Sequence, residues 1–120
     1  MLEAGRRRRH QPAPPLAVFQ ALTEPHRDPQ RHWLILLDDE IEPTVIESHQ
    51  PDYVIWSSLW TKRRDARLRF NLPVDTAGEG TDLSWTLTVD DPMPDAAFLG
   101  HIRKRINELI NANLRYSFGQ

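Results

Sequence analysis

GEGTDLSWTLTV, residues Gly78 to Val89, is the stretch from which the rest of the chain can be read. Leu83, Trp85, Leu87 and Val89 alternate with Ser84, Thr86 and Thr88, the period-two pattern of a strand with one apolar face. The glycines on either side of Glu79 mark the turn that feeds it. A Trp in the middle of an apolar strand face needs a cover, and that cover must come from elsewhere in the chain.

Upstream, ARLRFNLPV (66–74) sets Leu68, Phe70, Leu72 and Val74 against Arg67, Arg69 and Asn71. TKRRD (61–65) reads as a charged turn, YVIWSSLW (53–60) as a strand, QPD (50–52) as a turn and EPTVIESH (42–49) as another strand. Strands at hairpin spacing predict an antiparallel meander with at least one buried face. Within 53–60, Tyr53, Ile55 and Leu59 point one way while Val54, Trp56 and Trp60 point the other. Apolar on both sides, it is expected to be a central strand whose outer face is covered by a second layer or a partner.

Downstream, Asp91 or Asp95 offers an N-cap beside prolines, and a helix is predicted from there to about Tyr116. At about 100° per residue, an arc of about 120° holds Phe98, Leu99, Ile102, Ile106, Leu109 and Ile110. Arg103, Lys104, Asn107, Glu108, Asn111 and Arg115 fall outside the arc. Laid across the sheet, this helix covers Phe70 and Trp85. Asn113 falls near the middle of the arc, where an unsatisfied carboxamide costs about 1–3 kcal/mol. A ligand, water or the backbone at the helix end must therefore meet it.

APPLAVFQALTEP (13–25) reads as a short helix, with Pro14 and Pro15 in the first turn, Leu16, Phe19 and Leu22 on one face, and Pro25 ending it. Residues 1–11 form either a basic arm or an edge strand shielded by Arg6 to Arg9; residues 12–120 form one domain. HRDPQRHW (26–33) is loop-like, and the apolar run in HWLILLDDE (32–40) is too short to assign to helix or strand.

Composition narrows the function classes. With 15 basic and 17 acidic residues, no global field points to nucleic acid or to an anionic membrane, and no nucleic-acid partner is expected. The absence of cysteine excludes disulfides, thiol catalysis and Cys-ligated zinc. No run reaches the length of a membrane span, and HQPAPP after the four arginines is not a signal core, so an unexported, cytoplasmic protein is expected.

The order of elements, with Pro14, Pro15, Val18, Phe19 and Leu22, then Gly78, Gly80, Thr81, Leu83 and Trp85, then Leu109, Ile110 and Leu114, resembles the START-like (SRPBCC, birch-pollen-allergen-like) superfamily. The resemblance implies an α+β helix-grip fold, a curved antiparallel sheet wrapped around a long C-terminal helix. It also implies a cavity between sheet and helix for a lipid, polyketide or similar hydrophobic small molecule. Phe70, Leu72, Trp85 and Leu87 would line that cavity from the sheet, and Phe98, Ile102, Ile106, Leu109 and Asn113 from the helix. Two alternatives stand beside this reading: a cyclase or dehydratase working in the same pocket, and a ligand-free interaction module or homodimer. Tyr53, Trp56 and Trp60 are candidates for either cavity or interface.

No catalytic residue and no cofactor is expected. The chain has no G-x-S-x-G elbow and no phosphate-cradling glycine loop. His10, His26, His32, His49 and His101 show no metal-ligand spacing, and the acids of LDDE (37–40) with Glu42 read as solvated, so no metal is expected.

Overall fold

The structure, a computed structural model, describes residues 1–30 and 32–118. Strands β1 (Leu2–Gln11), β2 (Val45–His49), β3 (Tyr53–Trp56), β4 (Arg67–Asn71) and β5 (Thr81–Val89) form one antiparallel sheet in the order β1-β5-β4-β3-β2. Helix α1 (Pro15–Thr23) follows β1, and a C-terminal helix beginning at α2 (Ala96–Asn107) closes the chain. The alternation that begins at Thr81 is realised residue by residue: Leu83, Trp85, Leu87 and Val89 are buried, and Asp82, Ser84, Thr86 and Thr88 are half-buried.

The meander is extended by the first strand. Residues 2–11 are a full edge strand paired with β5, with Leu2 opposite Val89 and Gln11 opposite Thr81. The arginines hide this strand from a reading based on apolar pattern, because its backbone bonds and not its side chains hold it to the sheet. A bulge at Ala4 turns that residue into the core.

The C-terminal helix lies along this edge. Arg103 Nε donates to the Ala4 carbonyl at 2.6 Å, and Gln11 Nε2 donates to the Ile110 carbonyl at 3.0 Å. Trp85 sits where strand and helix meet. A Cβ added to Gly5 would stand 3.3 Å from both the Trp85 ring and Arg103 Cγ, so the bare glycine leaves room for the indole. Across the strands Trp85 is in register with Phe70. Trp56 meets Phe70 edge-on at 4.8 Å and stacks on Trp33 at 6.0 Å, pairs worth about 0.5–1.5 kcal/mol beyond their area. Ile102, Ile106, Leu109, Ile110 and Leu114 join these rings in one core.

The turn before β5 explains its glycines. Gly78 has φ +78°, and a Cβ at Gly80 would lie 2.6 Å from the Gln11 carbonyl oxygen and 2.7 Å from the Asp75 carboxylate. Asp75 accepts from the Glu79 and Gly80 N–H groups and pairs with His10.

Several boundaries differ from the expectation. The strand expected over 53–60 ends at Trp56; Ser58 Oγ then bonds both the N–H and the carbonyl of Trp60, turning the chain so that Leu59 and Trp60 are both buried. Trp56 and Trp60 therefore share the core but not a strand. β2 begins at Val45, not Glu42. Val74 is 54 % exposed beyond the end of β4. On α1 the buried residues are Val18, Phe19 and Leu22, while Leu16 in the first turn stays 43 % exposed. Asp95, not Asp91, caps the last helix by accepting from the Phe98 N–H at 2.8 Å. No helix among the described residues is long and apolar enough to cross a membrane.

Candidate functional site

The last helix changes its winding. After α2 it runs as a π segment over Glu108–Leu114 and closes with one α turn, Arg115–Ser117. A wider turn advances fewer degrees per residue, so the apolar stripe slips along the sequence. The buried series reads Ile102, Ile106, Ile110, Leu114, and Asn113, placed in the arc by a uniform α wheel, is only half-buried. The carbonyl of Ile110 inside this segment is taken up by the fully buried Gln11 carboxamide.

Segment 32–40 adopts no regular element until Glu40 bridges Trp60, yet it is pinned at both ends. Trp33 and Leu34 are buried in the core, while Ile35 and Leu37 are exposed. Arg105 reaches out of the helix and donates to both Glu40 oxygens at 2.8 Å, to the Ile35 carbonyl at 3.0 Å and to Glu108 at 3.3 Å. Burial pushes the Glu40 carboxyl up, but the guanidinium fork and the Leu37 N–H outweigh it, leaving the group below its ordinary range. The same pair raises Arg105, against the effect of burial. The reading of the 37–40 acids as solvated holds for Asp38 and Asp39 and fails for Glu40, whose side chain is 0 % exposed. Arg105 went unnoticed among the charges, although at about 100° per residue it lies only about 20° beyond the Phe98 edge of the apolar arc.

These two features frame a pair of hollows at the far end of the helix. One, of about 410 Å³, lies between α1 and the 24–29 loop, with Ala17, Ala21, Pro25 and Trp33 among its walls. The other, of about 900 Å³, lies between the 32–35 segment and the π segment, with Ile35, Asn111, Ala112, Asn113 and Arg115 among its walls. Trp33, Ser117 and Phe118 line both. Trp33 is 3 % exposed, and its indole N–H, like those of Trp60 and Trp85 in the core, has no hydrogen-bond partner among the described residues, whereas Trp56 Nε1 donates to the Leu22 carbonyl at 2.9 Å. Nothing in the sequence singles out Trp33, which opens the unassigned apolar run of 33–37, or Phe118, which lies beyond the periodic part of the helix.

The residues expected to line a cavity are distributed as follows. Phe70, Leu72, Trp85, Leu87, Ile102, Ile106 and Leu109 are buried in the core, with Phe98 half-buried against it. Asn113 lines the larger hollow. Trp56 lines a third hollow, of about 460 Å³, between α1 and the 42–45 segment. Trp60 is buried, and Tyr53 lies on the outer face, where its hydroxyl donates to Glu47 and Arg69 covers its ring at 4.2 Å.

Four of the five histidines each meet a separate carboxylate. His10 pairs with Asp75, His26 with Glu42, His49 with Asp52 and His101 with Asp39. His32, in the wall of the larger hollow, stacks on His26 at 5.4 Å. Among the described residues no cluster of three metal-ligating side chains occurs.

A curved antiparallel sheet closed over a long terminal helix is the helix-grip arrangement, and the chain has this START-like (SRPBCC) fold. The fold is shared with CalU16 from Micromonospora echinospora, with 18% identity over 88% of this chain and 68% of that one and a TM-score of 0.64. The Aha1 dimer from Colwellia psychrerythraea aligns over 96% of this chain and 94% of its own, with 15% identity and a TM-score of 0.68. Ara h 8.0201 aligns over 97% of both chains, with 11% identity and a TM-score of 0.54. At these identities the likeness is one of fold. No family model and no curated protein matches the chain.

Proposed function

We propose that the protein binds a hydrophobic small molecule in the twin hollows joined by Trp33 and Phe118. The observation that carries this reading is Trp33 itself, a buried aromatic wall common to both hollows whose indole donor has no protein partner among the described residues. Apolar walls with a few placed polar groups are how small-molecule sites are built, and Asn111, Asn113 and Ser117 supply such groups here. Of the residues expected to line a cavity, Asn113 is the one in these walls and the one that reaches the ligand. The START-like fold favours this reading, as that superfamily commonly holds hydrophobic ligands.

Native mass spectrometry of gently purified protein, paired with Ala112→Trp, tests the proposal. Ala112 is exposed in the wall of the larger hollow, so the indole fills the hollow without entering the core. A small-molecule mass retained by the parent chain and lost by the variant is the expected result; equal retention by both overturns it.

A second reading, a homodimer, is favoured by β2. All of its residues are exposed, including Val45 at 39 % and Ile46 at 49 %, and it forms an open edge of the sheet. Sedimentation analysis of Ile46→Lys separates this reading from a monomer: a dimer that persists unchanged in the variant removes β2 as its seat.

A further inference from the structure

We propose that the outer face of strands β1, β5 and β4 binds single-stranded nucleic acid through its phosphates. The near-balance of charge over the whole chain conceals how the strands sort it. Register places Arg6, Thr86 and Arg69 in one row across the sheet, and Arg8, Ser84 and Asn71 in the next. Arg6 to Arg9 with Asn71, Ser84 and Thr86 line a hollow of about 650 Å³, and no carboxylate is among the lining residues described. The guanidinium of Arg8 and the hydroxyls of Ser84 and Thr86, which share this face, have no protein partner among the described residues. Glu3 holds Arg6 at 2.7 Å in an exposed pair that an incoming phosphate can displace.

The shape of the array selects its occupant. Arg6 and Arg8 stand about 6.8 Å apart on the Thr86 and Ser84 side of β1, and Arg69 extends the row across the sheet, whereas Arg7 and Arg9, opposite the buried Trp85 and Leu83, project from the other side. A single phosphate cannot span that length, whereas a linear polyanion running along β1 can. The lining offers guanidinium, amide and hydroxyl donors suited to phosphate oxygens and no apolar anchor of the kind a peptide partner needs. Tyr53, the nearest outward aromatic, is capped by Arg69 and stacked on His49, so bases find no free platform and binding is indifferent to sequence. Edge defence explains arginines on β1 but not Arg69 and the hydroxyl row beside them.

Fluorescence anisotropy of a dye-labelled oligothymidylate, titrated over a range of salt concentrations, tests this. Three phosphates neutralised by Arg6, Arg8 and Arg69 give a slope of log affinity on log salt of about −2.1, from about −0.7 per phosphate for a single strand. The double variant Arg8→Gln, Arg69→Gln should bring the slope to about −0.7 and weaken low-salt binding at least tenfold by order of magnitude. Arg64→Gln, which removes an exposed charge outside this face, should change the slope little. All substituted side chains are exposed, and circular dichroism is to be run on each variant to check its folding. The proposal is overturned if the parent chain does not bind, if Arg64→Gln weakens binding as much as the double variant, or if a polyglutamate peptide binds with the same affinity and slope.

Discussion

Arg105 and Glu40 face each other across the base of the helix as a two-pronged buried pair, Nε to Oε2 and Nη2 to Oε1, each at 2.8 Å. Sixty-five positions separate them in sequence, and between them they tie an irregular segment to the helix. Arg105→Met leaves a carboxylate buried without its counter-charge and should cost about 3–5 kcal/mol in urea unfolding. Adding Glu40→Leu removes that stranded charge and should recover most of the loss. If the single variant lost under about 1 kcal/mol, the pair would be no more than a surface contact.

The same pair has a pH signature. The folded state holds the Glu40 carboxyl below its unfolded value, so the unfolded chain binds the proton more readily. The pair's stabilisation is therefore fully present above the unfolded glutamate value, about 4.3, and is lost as pH falls through the lower folded value. Glu40→Gln should lower stability at neutral pH and flatten the acid limb of the stability curve. Urea midpoints measured between neutral pH and acid check both; an unchanged slope in the variant removes Glu40 from the acid transition.

Two glycines should answer alanine in opposite ways. Gly100 is exposed in α2 with nothing within 4 Å of a new Cβ, so Gly100→Ala should stabilise by about 0.5–1 kcal/mol through helix propensity. Gly80→Ala drives a methyl against the Gln11 carbonyl and the Asp75 carboxylate and should destabilise by about 1–3 kcal/mol. Thermal melts of the two variants, run side by side, read the difference in sign.

Asn113→Leu separates anchoring from packing. The side chain is half-buried in the wall of the larger hollow, so the substitution should leave stability unchanged or slightly raised while weakening retention of a hydrophobic ligand. Undiminished retention would take Asn113 out of the site.

What could be read from the chain follows from where the physics is local. β4 and β5 announce themselves because their inner and outer faces differ in polarity at every step, and the same holds for the helix as far as Ile110. β1 carries no such contrast, since its partner is reached through backbone groups and its side chains are mostly charged. The wheel failed at Asn113 because the winding changes under it, held by a carboxamide ninety-nine positions away. Trp33 and Arg105 were illegible for a related reason: each acquires its role from a segment without a repeating pattern, and no spacing rule reaches such a segment.

The pairing of β1 with β5 also has a kinetic consequence. During synthesis β1 must wait for β5, since its partners run from Thr81 to Val89. Closing so long a loop costs entropy before any contact returns it, which slows assembly of the whole sheet. During that wait the four arginines keep the nascent edge charged, and an unpaired ribbon that repels its own copies is a poor seed for aggregation.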